Sequence, residues 1–180
     1  MRLITPTRHG DQRGFFSEVF RRDAFAANGV TADFVQDNHA YSQAVGVLRG
    51  LHYQTPPSAQ GKLVRCARGA ILDVAVDIRR GSPTFGRHVS AVISAANWRQ
   101  IWVPVGFAHG YVTLEPDSEV IYKTTAYYDP AAERGIAWDD PALGIDWRFA
   151  PGELTLSAKD TRNPTLAAAQ TAFVYEGAEA

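Results

Sequence analysis

Several things are scarce in this chain. Its 180 residues contain one cysteine, Cys66, so no intramolecular disulfide can form, which speaks against an oxidised, secreted scaffold. Charge of one sign is also missing: 18 Lys and Arg stand against 19 Asp and Glu, a formal net charge of −1. No global field therefore favours nucleic acid or an anionic membrane, and an anionic ligand must be held by local arginines and lysines. No apolar run approaches a membrane span, and the N-terminus lacks the apolar core of a signal peptide, so the expected compartment is the cytoplasm. Repeats, low-complexity tracts and linker-like shifts are missing too, and a single domain over 1–180 is expected. Helix signals are few. Asp23 is placed to cap a short helix that stops at Gly29, and Asn163-Pro164 to open another.

What is present is a globular composition, 46% hydrophobic and 21% charged, which is enough to bury a core. The dominant period is two. Ala70, Leu72, Val74, Val76 and Ile78 alternate with Ile71, Asp73, Ala75 and Asp77, the pattern of a strand. Similar runs cover Phe15–Phe20, Phe34–Ser42, Val47–Gln54, Lys62–Ala67, His88–Ser94, Gln100–Pro104, His109–Leu114 and Glu119–Tyr127. Many short strands separated by glycine and proline predict an all-β sandwich or barrel, with a mouth where a small ligand sits. Cys66 lies in the alternating run Lys62–Cys66 and reads as a small buried filler. Trp98, Trp102, Trp138 and Trp147 read as packing, and Arg79-Arg80 as a solvated turn.

Two segments carry chemistry. They are Gly46-Val47-Leu48-Arg49-Gly50-Leu51-His52-Tyr53-Gln54, followed by Gly61-Lys62 and Gly69, and Pro104-Val105-Gly106-Phe107-Ala108-His109-Gly110. Together they resemble the two sequence blocks of the cupins, which are double-stranded β-helix (jelly-roll) barrels. Metal-binding cupins place His-x-His and a glutamate in the first block and a third histidine in the second. Here Gln54 replaces the second histidine, Lys62 follows where the carboxylate is needed, and only His52 and His109 remain. No metal and no other cofactor is therefore expected. Acid–base chemistry fits better: histidine titrates near neutral pH, lysine meets developing negative charge, and Asp160 is a candidate orienting carboxylate. Taken singly, each residue also fits a structural role, such as a hydrogen-bonded strand histidine, a packed Tyr122 or a turn-capping Asp160.

The whole chain resembles the dTDP-4-dehydrorhamnose 3,5-epimerase family. The resemblance runs through Gly10–Glu18, Phe34–Asn38, Val47–Gln54, Gly61–Arg65, Asp73–Asp77 and Ser82–Gly86. It continues through Gly106–Gly110, Tyr122-Lys123, Tyr127–Pro130, Glu133–Ile136 and Ser157–Asp160. It implies a cupin-type jelly roll with a few short helices and an isomerase of a dTDP-4-keto-6-deoxy sugar. It also implies a homodimer with shared active sites. His52 matches the family's base, Asp160 its paired carboxylate, Lys62 the enolate-stabilising lysine and Tyr122 the proton donor. Arg13, Glu18, Gln36, Asn38, Arg49, His109, Glu133 and Lys159 match substrate-binding positions, with Arg13 and Glu18 reaching across the dimer. Three alternatives stay open: a single-carbon epimerase of secondary metabolism, a metal-dependent cupin oxygenase and a non-catalytic sugar-binding barrel.

Overall fold

The computed structural model describes residues 1–169 and 171–177. One antiparallel sheet contains β1 (Arg2–Ile4), β9 (Gln100–Val103), β6 (Lys62–Arg68), β11 (Ser118–Thr124) and β4 (Gln36–Ser42), in that order. The other runs β12 (Glu133–Gly135), β5 (Leu48–Gln54), β10 (Phe107–Thr113), β7 (Ala70–Asp77) and β8 (His88–Ser94). A hairpin, β2 (His9–Asp11) with β3 (Gly14–Phe16), stands apart from both. The two sheets pack face to face as a cupin-like jelly roll, the fold class that the period-two pattern and the cupin blocks predict.

Alternation sets the layers. From β7, Ile71 and Ala75 point between the sheets, where they meet Val64, Cys66, Ile101, Val103, Tyr111 and Val120. Leu72, Val74 and Val76 point the other way, against Trp147, Leu166 and Phe173 from the C-terminal segment. Every residue of β7 is thus buried, which explains its near-continuous apolar run. Cys66 is a buried filler as expected, and burial pushes its thiol up to about 11.

The long alternating runs fold as strands within a few residues of their expected ends. The 88–94 strand matches at both ends, whereas the Phe15–Phe20 run is strand only in its first two residues. Three departures have physical causes. Helix α1 (Arg22–Ala27) starts ahead of Asp23, whose carboxylate lies inside the first turn and accepts from Ala24 N and Arg21 Nε. No helix opens at Asn163-Pro164. The 3₁₀ turn there is Asp160–Arg162, and the Pro164 carbonyl is taken by Ala137 N at 2.7 Å. The Arg79-Arg80 pair is not a solvated turn. Arg79 Nη2 donates to Asp77 at 2.7 Å, and its guanidinium lies 4.7 Å from the Phe107 ring centroid and 5.0 Å from that of Tyr175. The Arg80 backbone pairs with Phe173 and Tyr175, so this corner clasps the C-terminal segment. The four tryptophans pack as expected: Trp147 donates to the Trp138 carbonyl, and Trp98 and Trp102 meet Phe15 and Phe34 edge-on.

Candidate active site

The site depends on an irregularity in β5. His109 pairs with His52 and Tyr111 with Arg49, so a two-residue step along β10 matches a three-residue step along β5. This bulge reverses the phase of the strand, and Arg49 and His52 reach the same pocket although simple alternation would separate them. Gly50 makes this possible. Its φ of +134° is left-handed, and a Cβ there would lie 2.6 Å from the Gly110 Cα.

His52 is half-buried, and its Nε2 lies 2.6 Å from Oδ1 of buried Asp160 across 108 residues of chain. Burial opposes ionisation of Asp160, but the hydrogen bonds from His52 and Ser157 win and hold its carboxyl below the usual range. The turn bearing Asp160 docks against β12, where Gly135 is the partner of His52. A Cβ on Gly135 would overlap the Asn163 side chain at 2.3 Å, so glycine lets the turn approach.

A pocket of about 430 Å³ opens beside this pair, lined by Arg49, His52, Lys62, His109, Tyr111 and Tyr122, among others. A second lobe of about 260 Å³ shares His52, Lys62 and Tyr122 and adds Gln36, Asn38, Tyr128 and Glu133. His52 enters from β5 and Tyr122 from β11, on facing sheets. Burial pushes the Tyr122 phenol up, Arg49 opposing. Burial also brings the Lys62 ammonium down to about 8, with Asp73 and Glu133 working against it. His109 Nε2 lies 2.9 Å from Oδ2 of the buried Asp73, a second histidine–carboxylate pair. Lys159 is ion-paired with Glu133, which also accepts from the Tyr128 hydroxyl at 2.8 Å. Gln36 donates to Asn38 at 2.9 Å and accepts from Tyr128 N.

Ten of the twelve residues expected in the site therefore line these two lobes. Arg13 and Glu18 do not. Arg13 is exposed on the hairpin and donates to Asp11, and Glu18 borders a separate hollow near the N-terminus. That hollow and one beneath the C-terminal segment are larger, about 750 and 820 Å³, but neither contains a paired histidine. Gln54 is buried, donates to the Ser58 and Tyr127 carbonyls and accepts from Asp129 N, so both ends of its amide hold loops. Sequence reasoning passed over Asp73, Tyr111 and Tyr128. An acid at an inward position of an otherwise apolar strand is the signal that finds Asp73.

A jelly-roll barrel with a histidine–carboxylate pair, a lysine and a phenol around one pocket has the make-up of an acid–base site rather than of a structural sandwich. The model of the dTDP-4-dehydrorhamnose 3,5-epimerases matches residues 1–168. The Sinorhizobium fredii enzyme of that name is 51% identical over 177 residues, covering 97% of this chain and 89% of its own. The Legionella pneumophila dTDP-6-deoxy-D-glucose-3,5-epimerase, solved with dTDP-4-keto-L-rhamnose, superposes with a TM-score of 0.92 at 45% identity, covering 97% of this chain and 93% of that one. A 3'-monoepimerase from Streptomyces bikiniensis, solved with dTDP-quinovose, gives 0.83 at 37%, covering 92% and 83%. This chain belongs to the dTDP-4-dehydrorhamnose 3,5-epimerase family.

Proposed function

We propose that the chain converts dTDP-4-dehydro-6-deoxy-D-glucose to dTDP-4-dehydro-L-rhamnose by cofactor-free inversion at C3 and C5, as a cytoplasmic homodimer. The observation that carries this reading is the His52–Asp160 pair, at 2.6 Å, facing Tyr122 across a pocket that also receives Lys62. A ketone at C4 acidifies the hydrogens on C3 and C5, since either carbanion spreads onto the carbonyl oxygen. His52 is the base for both carbons, with Asp160 fixing its tautomer and ring. The Lys62 ammonium meets the enolate oxygen. Tyr122 returns a proton from the opposite wall, which turns exchange into inversion.

Arg49 and Lys159 are the cations of this chain suited to the diphosphate, Arg49 by its planar fork. Gln36, Asn38, His109 and Glu133 complete the substrate contacts. Gln54, which stands where a metal-binding cupin has a histidine, is tied to loop backbone through both its N–H groups and its carbonyl oxygen, and this favours chemistry without a metal. Two features support the shared dimer. Arg13 lies outside the pocket of its own chain, and Phe15 and Phe16 beside it are 52% and 67% exposed, an apolar tip suited to a second copy.

The experiment is incubation with the 4-keto sugar in deuterated water, after exhaustive chelation, with deuterium counted at each carbon. Label at both C3 and C5 with the L-sugar as product is expected. Label and inversion at C3 alone would instead make this a monoepimerase. No exchange would leave a sugar-binding barrel, and activity restored only by a cation would mark a metal enzyme.

A further inference from the structure

Tyr111 has no place in the chemistry above, yet its hydroxyl is the anomaly of the pocket. The side chain is 5% exposed, and its ring packs between the sheets with Val64, Cys66 and Val120, with Tyr122 resting against the same cluster. Its oxygen is buried and finds no hydrogen-bond partner among the described residues. Interior phenols normally have one, because a buried hydroxyl left unpaired loses its hydration for nothing. The residue lines the lobe that receives His52, Lys62, His109 and Tyr122. Its strand neighbours are Arg49 on β5 and Asp73 on β7, and neither makes a hydrogen bond to it. Burial pushes the phenol further up than that of a free tyrosine, so the group remains a donor throughout the working range.

We infer that the Tyr111 hydroxyl is a substrate-positioning donor: its hydrogen bond goes to an oxygen of the bound hexose at the floor of the pocket. Ligand and residue then complete each other, since none of the described residues serves the hydroxyl. The contact is made in ground state and transition state alike, so it acts on affinity and not on turnover. The inference rests on the epimerase reading above and adds to it a residue that selects the sugar.

The test uses Tyr111→Phe, which keeps the ring and removes one oxygen. Calorimetric titration with dTDP-glucose and with dTDP alone is compared with wild type, and the melting point of the free protein is recorded. Affinity for dTDP-glucose is expected to fall about three- to tenfold, the worth of one neutral hydrogen bond. Affinity for dTDP should be unchanged, and KM for the 4-keto sugar should rise by the same factor with kcat held. The free variant should melt no lower than wild type, because it no longer buries an unpaired hydroxyl. Unchanged affinity for dTDP-glucose would overturn the inference. So would a lower melting point, which reveals an internal partner, or an equal loss for dTDP, which moves the contact to the nucleotide. Wild-type protein that binds neither ligand would sink the epimerase reading itself, and this inference with it.

Discussion

Three residues, Lys62, His52 and Tyr122, carry proposed roles that pH and substitution separate. Desolvation brings Lys62 down to about 8, against the attraction of Asp73 and Glu133. If its ammonium stabilises the enolate, kcat/KM falls as pH rises through about 8, because the deprotonated amine presents no charge. Lys62→Arg should remove that alkaline limb, whatever it costs in rate, since guanidinium stays protonated. A limb that persists unchanged in the variant assigns the titration elsewhere. The stability effect has the opposite sense. A lysine with a depressed folded pKa binds fewer protons folded than unfolded between about 8 and 10.5, so its contribution to stability improves as pH rises through that window. The second separation concerns His52 and Tyr122. Asp160→Asn should lose deuterium exchange and inversion together, by at least about a hundredfold. Tyr122→Phe should keep exchange through His52 yet lose inversion by a similar factor. Product stereochemistry and label, read from one sample, distinguish the two, and equal behaviour of the variants would contradict the opposed-wall assignment. Residue types were legible in the residues themselves, but the pairing of His52 with Asp160 came only from the family resemblance, because the two stand 108 positions apart and spacing says nothing about a turn that returns.

Among the elements, strands were legible in proportion to their length. Runs of seven or eight residues such as β7, β8 and β11 show period two and were found. The three-residue β1, β2 and β12 show no period, being defined by partners such as β9 and β5, and were not. The bulge in β5 was hidden for a different reason. Read with strict alternation, Arg49 shares a face with Leu51 and Tyr53, which in fact pack outward while Arg49 faces the pocket. Only the register against β10 reveals the reversal. Gly50 is therefore predicted to be the sensitive point of the strand. Gly50→Ala must accommodate a Cβ 2.6 Å from Gly110 at a φ that suits glycine, a strain of about 1–3 kcal/mol. Denaturant titration should show that loss, and activity should fall beyond what instability explains, because His52 and His109 lose register. Native stability in Gly50→Ala would mean that the bulge relaxes without it.

For the whole molecule, the question is how many chains make one active site. Each chain supplies its own His52–Asp160 pair, Lys62 and Tyr122, but Arg13 stands on the hairpin with its side chain 83% exposed, held among the described residues by Asp11 alone. A surface ion pair of that kind is weak and easily exchanged for a diphosphate or another carboxylate. If the hairpin reaches into the pocket of a second copy, Arg13→Ala and His52→Ala chains fail for different reasons and repair one another. In a mixed dimer, one site combines the intact His52 of the first chain with the intact Arg13 of the second, and the other site lacks both. Random reassortment of equal amounts makes half of all dimers mixed, so about a quarter of the sites should work, against few in either pure variant. Activity after mixing is the measurement, with dimer exchange verified by mass. Recovery to about a quarter of wild type establishes a site shared between chains. Mixed dimers no more active than the average of the two pure variants would confine Arg13 to its own chain, and the exposed Phe15–Phe16 tip would then need another explanation.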